Sequence, residues 1–183
     1  DTWGVDFVLL DSFNEPIGFN HHYRDERTEG MLEEMFKVVP KEEIFDQTGI
    51  QFMPINSSTQ LYSMVYNKSP QLSITKTFLM MPDFFNFLLS GAKCSEYSVA
   101  TTSQLFNPIS KDWAHDLIKK LKLKSEWFCK VVKPGTILGK IQENVAEEVG
   151  LNKNVKIIAP ACHDTGSAVA SVPVAMNKYD RGE

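Results

Sequence analysis

Val155-Lys156-Ile157-Ile158-Ala159-Pro160-Ala161-Cys162-His163-Asp164-Thr165-Gly166-Ser167-Ala168-Val169 is an apolar, β-type run that passes through a polar triplet into small residues. The run predicts a strand near Val155, and the segment Ser167 to Val172 is suited to a helix. His163-Asp164-Thr165 therefore stands where a strand ends and a helix begins. An open α/β sheet gathers its ligands at such corners, because free backbone N–H groups and the helix dipole converge there. Asp164 is the side chain in this chain best placed by its surroundings to be a general base. On the plainest view it is a helix cap, since Asp or Thr before a helix most often accepts hydrogen bonds from unpaired N–H groups. Cys162 and His163 do not read as a nucleophile and its base, because neighbours in an extended segment point to opposite faces.

At 183 residues and 43% apolar, the chain can bury one sizeable core. A net charge of −4 and the lack of a Lys/Arg cluster interleaved with aromatics give nucleic-acid binding no support. Cys94, Cys129 and Cys162 are odd in number and widely spaced, with no CxxC, and read as reduced thiols in a cytoplasmic protein. Thr77 to Leu89 is the longest apolar stretch. Interrupted by Pro82, Asp83 and Asn86, it is too short to span a bilayer and reads as a buried helix. No signal peptide is expected. The first residue is not Met, and Asp1-Thr2-Trp3-Gly4-Val5 begins inside an apparent strand, so a piece of a longer protein is expected.

Moving outward from the corner, Trp3 to Leu10 reads as a strand. Asp11 to Gly18 carries turn chemistry, and Ile17 to Tyr23 reads as the returning strand of a hairpin. Met31, Leu32, Met35 and Phe36 share one helical face. A short helix over Glu42 to Gln47 ends at Gly49, and a helix follows Ser57-Ser58. Pro82 suits the first turn of a helix reaching Leu89 and stopping at Gly91. Asp112 to Leu121 turns Trp113, Leu117, Ile118 and Leu121 inward. Pro134-Gly135 breaks an extended segment, and Glu143 to Val149 reads as a helix stopped by Gly150. The order predicts an α/β fold with a mixed sheet flanked by helices. Phe78, Phe84, Phe85 and Phe87 are assigned to the core.

His21-His22 with Asp25 and Glu26 invites a metal, but adjacent strand histidines diverge and no third ligand follows at helical spacing, so no metal site is assigned. Glu33-Glu34 and Glu147-Glu148 read as solvated helix faces. No GxxxxGK[ST] or GxGxxG phosphate loop is present. Thr101-Thr102-Ser103 is polar enough to line a cleft but is assigned no role.

Seven runs, in this order and at compatible spacing, carry a resemblance to a known family. They are Asp1-Thr2-Trp3-Gly4-Val5-Asp6-Phe7, Tyr23-Arg24-Asp25-Glu26-Arg27-Thr28, Gly49-Ile50-Gln51-Phe52, Leu79-Met80-Met81-Pro82-Asp83-Phe84-Phe85, Ala100-Thr101-Thr102-Ser103-Gln104-Leu105, Pro134-Gly135-Thr136 and His163-Asp164-Thr165. Together they resemble the FGGY family of carbohydrate kinases, on its rhamnulose-phosphorylating branch.

That resemblance implies a ribonuclease-H/actin-like fold, with residues 1–173 forming most of a sugar-binding N-terminal domain whose first strand and phosphate loop are absent. Residues 174–183 would begin a linker to an absent C-terminal domain. It implies ATP and Mg2+ as co-reactants, bound mostly outside this chain, and a cytoplasmic kinase of small-molecule sugars with neither nucleic-acid nor membrane partners. Asp164 matches the catalytic base, and Gly4, His163 and Thr165 match sugar contacts. At Gly4 the missing side chain would let a ketose approach the backbone. Arg24, Asp25 and Arg27 are expected to shape the cleft wall without direct contact. The implied reaction of the intact protein turns L-rhamnulose into L-rhamnulose 1-phosphate. Fuculose or xylulose is the alternative ketose, and a non-catalytic sugar-binding module the alternative class. The isolated chain is expected to be inactive.

Overall fold

The computed structural model describes residues 1–173, so the linker expected over 174–183 lies outside the described residues. In chain order the regular elements begin with β1 (Phe7–Leu10), α1 (Met31–Val38), α2 (Lys41–Thr48), α3 (Ser57–Tyr66) and α4 (Gln71–Ile74). They continue with β2 (Thr77–Met80), α5 (Met81–Ser90), β3 (Ser95–Glu96), α6 (Tyr97–Ala100), β4 (Phe106–Asn107) and β5 (Asp112–Trp113). The last are α7 (His115–Lys120), β6 (Val131–Val132), β7 (Ile137–Lys140), α8 (Glu143–Val149), β8 (Lys156–Ile158) and α9 (Asp164–Ala170). Among the described residues no helix is long and apolar enough to cross a membrane.

Parallel and antiparallel pairing are mixed, but as four two-stranded ladders rather than one continuous sheet. β1–β2, β4–β5 and β7–β8 are antiparallel and β3–β6 is parallel. Single parallel bridges join Thr2 to His163 and Phe78 to Phe128.

The central ladder corrects the expected hairpin. β1 pairs with β2, Phe7 opposite Met80 and Leu10 opposite Thr77. The segment after the turn supplies only a Leu10–Pro16 bridge and the Ile17 N–H to the Leu9 carbonyl. The reason is burial. Phe78, Leu79 and Met80 are all 0% exposed, whereas Phe19 is 94% exposed and carries no apolar face to the core. The stretch Thr77 to Leu89 is thus not one helix. It is a buried strand that turns at Met80, whose backbone is extended, into a helix with Pro82 in its first turn. The strand expected over Trp3 to Leu10 starts only at Phe7, because the backbone turns at Val5.

The helix stops are where the glycines are. Gly49, Gly91 and Gly150 end α2, α5 and α8 in the left-handed conformation that glycine adopts without a Cβ penalty. Trp113, Leu117, Ile118 and Leu121 are buried as the periodicity requires. They pack in the main core with Phe7, Met35, Leu61, Phe78 and Phe106. A smaller cluster of Val8, Leu10 and Leu79 lies on the other side of the ladder, covered by Phe84 and Phe87. Phe85 departs from the expected core, being 53% exposed.

Candidate functional site

The strand-to-helix corner forms as read, with the helix shifted to begin at Asp164 and end at Ala170. β8 ends at Ile158, and His163 occupies the N-cap position without a side-chain cap bond. Asp164 is the first helical residue. Its Oδ1 accepts from the Thr165 N–H at 2.6 Å and the Thr165 hydroxyl at 3.2 Å. The Asp164 side chain is half exposed, and the nearest ring nitrogen of His163 lies 3.7 Å away. Cys162 faces the interior, 1% exposed, and burial pushes its thiol up to about 12, which favours the neutral thiol at this corner.

The corner is held from the N-terminal segment. The Thr2 N–H donates to the Cys162 carbonyl and the Asp164 N–H donates to the Thr2 carbonyl, both at 2.9 Å. This single parallel bridge brings Trp3-Gly4-Val5 beside His163-Asp164-Thr165. Between them opens a cleft of about 540 Å³. Gly4, His163, Asp164 and Thr165, the four residues singled out from the sequence, all line it. So do Trp3, Val5, Tyr23, Thr101 and Thr102, with an apolar wall of Ile50, Met53 and Ile55.

Gly4 is also required by packing. A Cβ there would meet Thr102 Oγ1 at 2.8 Å and its Cβ and Cγ2 at 2.9 Å. The space on the Cβ side of Gly4 is filled by Thr102, while Gly4 still lines the cleft. Val5 follows with φ 67°, and the Asp6 N–H bonds the Gly4 carbonyl at 2.9 Å, a three-residue turn that a β-branched residue adopts only under strain. The turn is held by side chains. The Val5 N–H donates to Thr102 Oγ1 at 3.1 Å, and its carbonyl accepts from the Ser57 hydroxyl at 2.6 Å and from Gln60 Nε2 at 3.2 Å.

Ser57 and Ser58, which the sequence places before α3, lie inside its first turn. With Thr59 and Gln60 they are wholly buried, although polar. Ser58 bonds Gln104 at 2.7 Å. These residues form the floor under the cleft. The signal for them was an unbroken polar run opening a helix whose later turns are apolar, which no periodicity search detects.

Behind Trp3 lies Asp6, 3% exposed. Its Oδ2 accepts from Trp3 Nε1 at 2.7 Å, while Oδ1 is buried without a partner. Burial raises the Asp6 pKa, and the Trp3 hydrogen bond and the His22, Gln60 and Arg27 neighbours partly offset this. Arg24, Asp25 and Arg27, expected to shape the cleft wall, do not line the cleft, whereas the neighbouring Tyr23 does. Arg27 bonds Gln60 Oε1 at 2.6 Å instead, bracing the floor. His21 contacts Asp25 at 3.3 Å on the surface.

The domain has the actin-like fold of the sugar kinases on which it superimposes. The xylulose kinase from Rhodospirillum rubrum superimposes with a TM-score of 0.81 over 90% of this chain and 34% of that one, at 19% identity. The N-terminal domain of the FGGY family of carbohydrate kinases matches residues 2–170, and the chain belongs to that family. Among its relatives, the rhamnulokinase of Halalkalibacterium halodurans is 44% identical over 94% of this chain. That of Oceanobacillus iheyensis is 44% identical over 97%. The chain spans 37% of the length of each.

Proposed function

We propose that the intact protein is a cytoplasmic, ATP-dependent sugar kinase that converts L-rhamnulose to L-rhamnulose 1-phosphate, with this chain supplying the sugar side of the site. The observation that carries the proposal is the convergence of Gly4, His163, Asp164 and Thr165 on one cleft, the Asp164 carboxylate open to it. The names of the 44% identical relatives support the ketose.

A sugar hydroxyl is a poor nucleophile at neutral pH. Asp164 accepts its proton as the oxygen attacks the transferred phosphoryl group. The value of this carboxylate lies in placement and late proton acceptance, and the larger part of catalysis is alignment of the reactants. His163 and Thr165 orient the sugar from either side of the base. Trp3 and Tyr23 give it aromatic walls, while Ile50, Met53 and Ile55 exclude water beneath it.

ATP is the phosphoryl donor in this scheme and Mg2+ its partner. Among the described residues no three His, Cys, Asp or Glu side chains converge as a metal ion requires, and the chain has no phosphate loop of the GxxxxGK[ST] type.

The test is ADP release by the full-length protein with Mg2+-ATP and L-rhamnulose, beside fuculose and xylulose. Rhamnulose-dependent release is expected. Release with another ketose alone moves the substrate, and silence with every sugar leaves a binding module.

A further inference from the structure

We propose that Glu96 is a positioning residue for Asp164, acting through the backbone of the strand-to-helix corner. This rests on the kinase function proposed above. Glu96 is 0% exposed, with no cation bonded to it among the described residues. Its carboxylate is surrounded by donors instead. Oε1 accepts from the Ser98 N–H at 2.9 Å. Oε2 accepts from the Ser98 hydroxyl, from the Val99 N–H at 3.3 Å and from the Cys162 N–H at 3.0 Å. The two backbone contacts, from Ser98 and Val99, cap α6. The last reaches across to a distant stretch of chain, two residues before Asp164.

Ser98 extends the same grip by one residue. Its hydroxyl donates to Glu96 and accepts from the His163 N–H at 3.2 Å. Two successive backbone N–H groups, of Cys162 and His163, are thus fixed from the Glu96 side. The next, of Asp164, is fixed from the Thr2 side at 2.9 Å. The corner is clamped between the two. Glu96 is itself anchored, its N–H donating to Oδ1 of the buried Asp83 at 2.9 Å. A cap alone explains the contacts to Ser98 and Val99 but not the contact to Cys162. A longer side chain than the Asp or Ser usual at N-caps is needed to reach both.

Glu96→Asp separates the two duties. It keeps a carboxylate for the α6 cap and is too short to hold Cys162 as well. In the full-length protein the melting temperature is expected to fall modestly, as for one lost buried hydrogen bond, while kcat falls about 10²-fold, the loss that a misplacement near 1 Å brings. KM for the sugar is expected to rise and KM for ATP to hold. Ser98→Ala, which frees the His163 N–H but leaves the Glu96 cap, is expected to shift the same parameters in the same direction by less. Hydrogen exchange, faster at the Cys162 amide in Glu96→Asp and at the His163 amide in Ser98→Ala, is a readout that does not need turnover. Absence of kinase activity in the wild type would count against the proposed function alone. Unchanged kcat and unchanged amide exchange in two folded variants would overturn the role of Glu96. If Glu96→Asp does not fold, Ser98→Ala decides on the same criteria.

Discussion

Thr102 and Gly4 interlock: the threonine hydroxyl and methyl stand where a side chain on residue 4 would have to go, 2.8–2.9 Å from an added Cβ. The same hydroxyl accepts the Val5 N–H, so the contact fixes both the packing and the turn of the cleft's N-terminal wall. Gly4→Ala is expected to destabilise the domain by about 1–3 kcal/mol, the usual cost of overpacking, as read by urea denaturation. Weaker sugar binding is expected to accompany it, because Trp3 and Val5 move with the wall.

Asp164→Asn tests the base. The side chain is half exposed and bonds only its neighbour Thr165 in the described structure, so the fold loses little. Turnover by the full-length protein is expected to fall about 10²–10⁴-fold, the range that a general base contributes, with an unchanged melting temperature. Unaltered turnover would return Asp164 to a helix-start residue.

Asp83 gives the domain a pH signature. Burial pushes its pKa well above the usual carboxylate range, with the Glu96 N–H bond pulling it back and the Glu96 charge pushing it further up. A carboxyl whose folded pKa is raised contributes stability that is present below its unfolded pKa and is lost as pH rises through the folded value. Asp83→Asn keeps the acceptor for Glu96 and removes the titration. Its melting temperature relative to wild type is expected to be higher at pH 8 than at pH 4. A constant difference between the two pH values would contradict this.

Trp3→Phe removes the hydrogen bond that Asp6 Oδ2 accepts, leaving both oxygens of a buried carboxyl without a partner. A loss of about 1–3 kcal/mol is expected from the unmatched group. Since the bond lowers the Asp6 pKa, removing it raises the folded pKa further, and the deficit is expected to be larger at pH 8 than at pH 4. Chemical denaturation at the two pH values measures it.

The three thiols are all free, and burial pushes those of Cys94 and Cys162 up to about 12 and raises that of Cys129. Alkylation by iodoacetamide at pH 8 is expected to be slow in the folded domain and to become fast in urea, as mass spectrometry of the three peptides would show.

The sequence discloses what is local. Gly49, Gly91 and Gly150 stop their helices because a left-handed residue after a helix is a one-residue signal. The corner at Asp164 is legible because a β-type run meets small residues there. The partner of β1 is not, since pairing Phe7 with Met80 spans four helices and depends on which strand can bury both faces. A hairpin is the cheaper inference from nearby turn residues and is wrong here because Ile17 to Tyr23 stays near the surface. Glu96 and the buried polar start of α3 escape notice for another reason. A lone Glu or a Ser-Ser-Thr-Gln run looks like solvent-facing sequence until distant backbone groups are seen to need it.

The Thr2–His163 bridge makes the two ends of the described chain meet at the cleft. Closing so long a loop is slow, because its entropy must be spent before the contact rewards it. During synthesis β1, β2 and the helices between them emerge and can condense well before Asp164 does. The domain therefore has a core before it has a site. A chain that stops short of the corner lacks His163, Asp164 and Thr165, and with them one wall of the cleft.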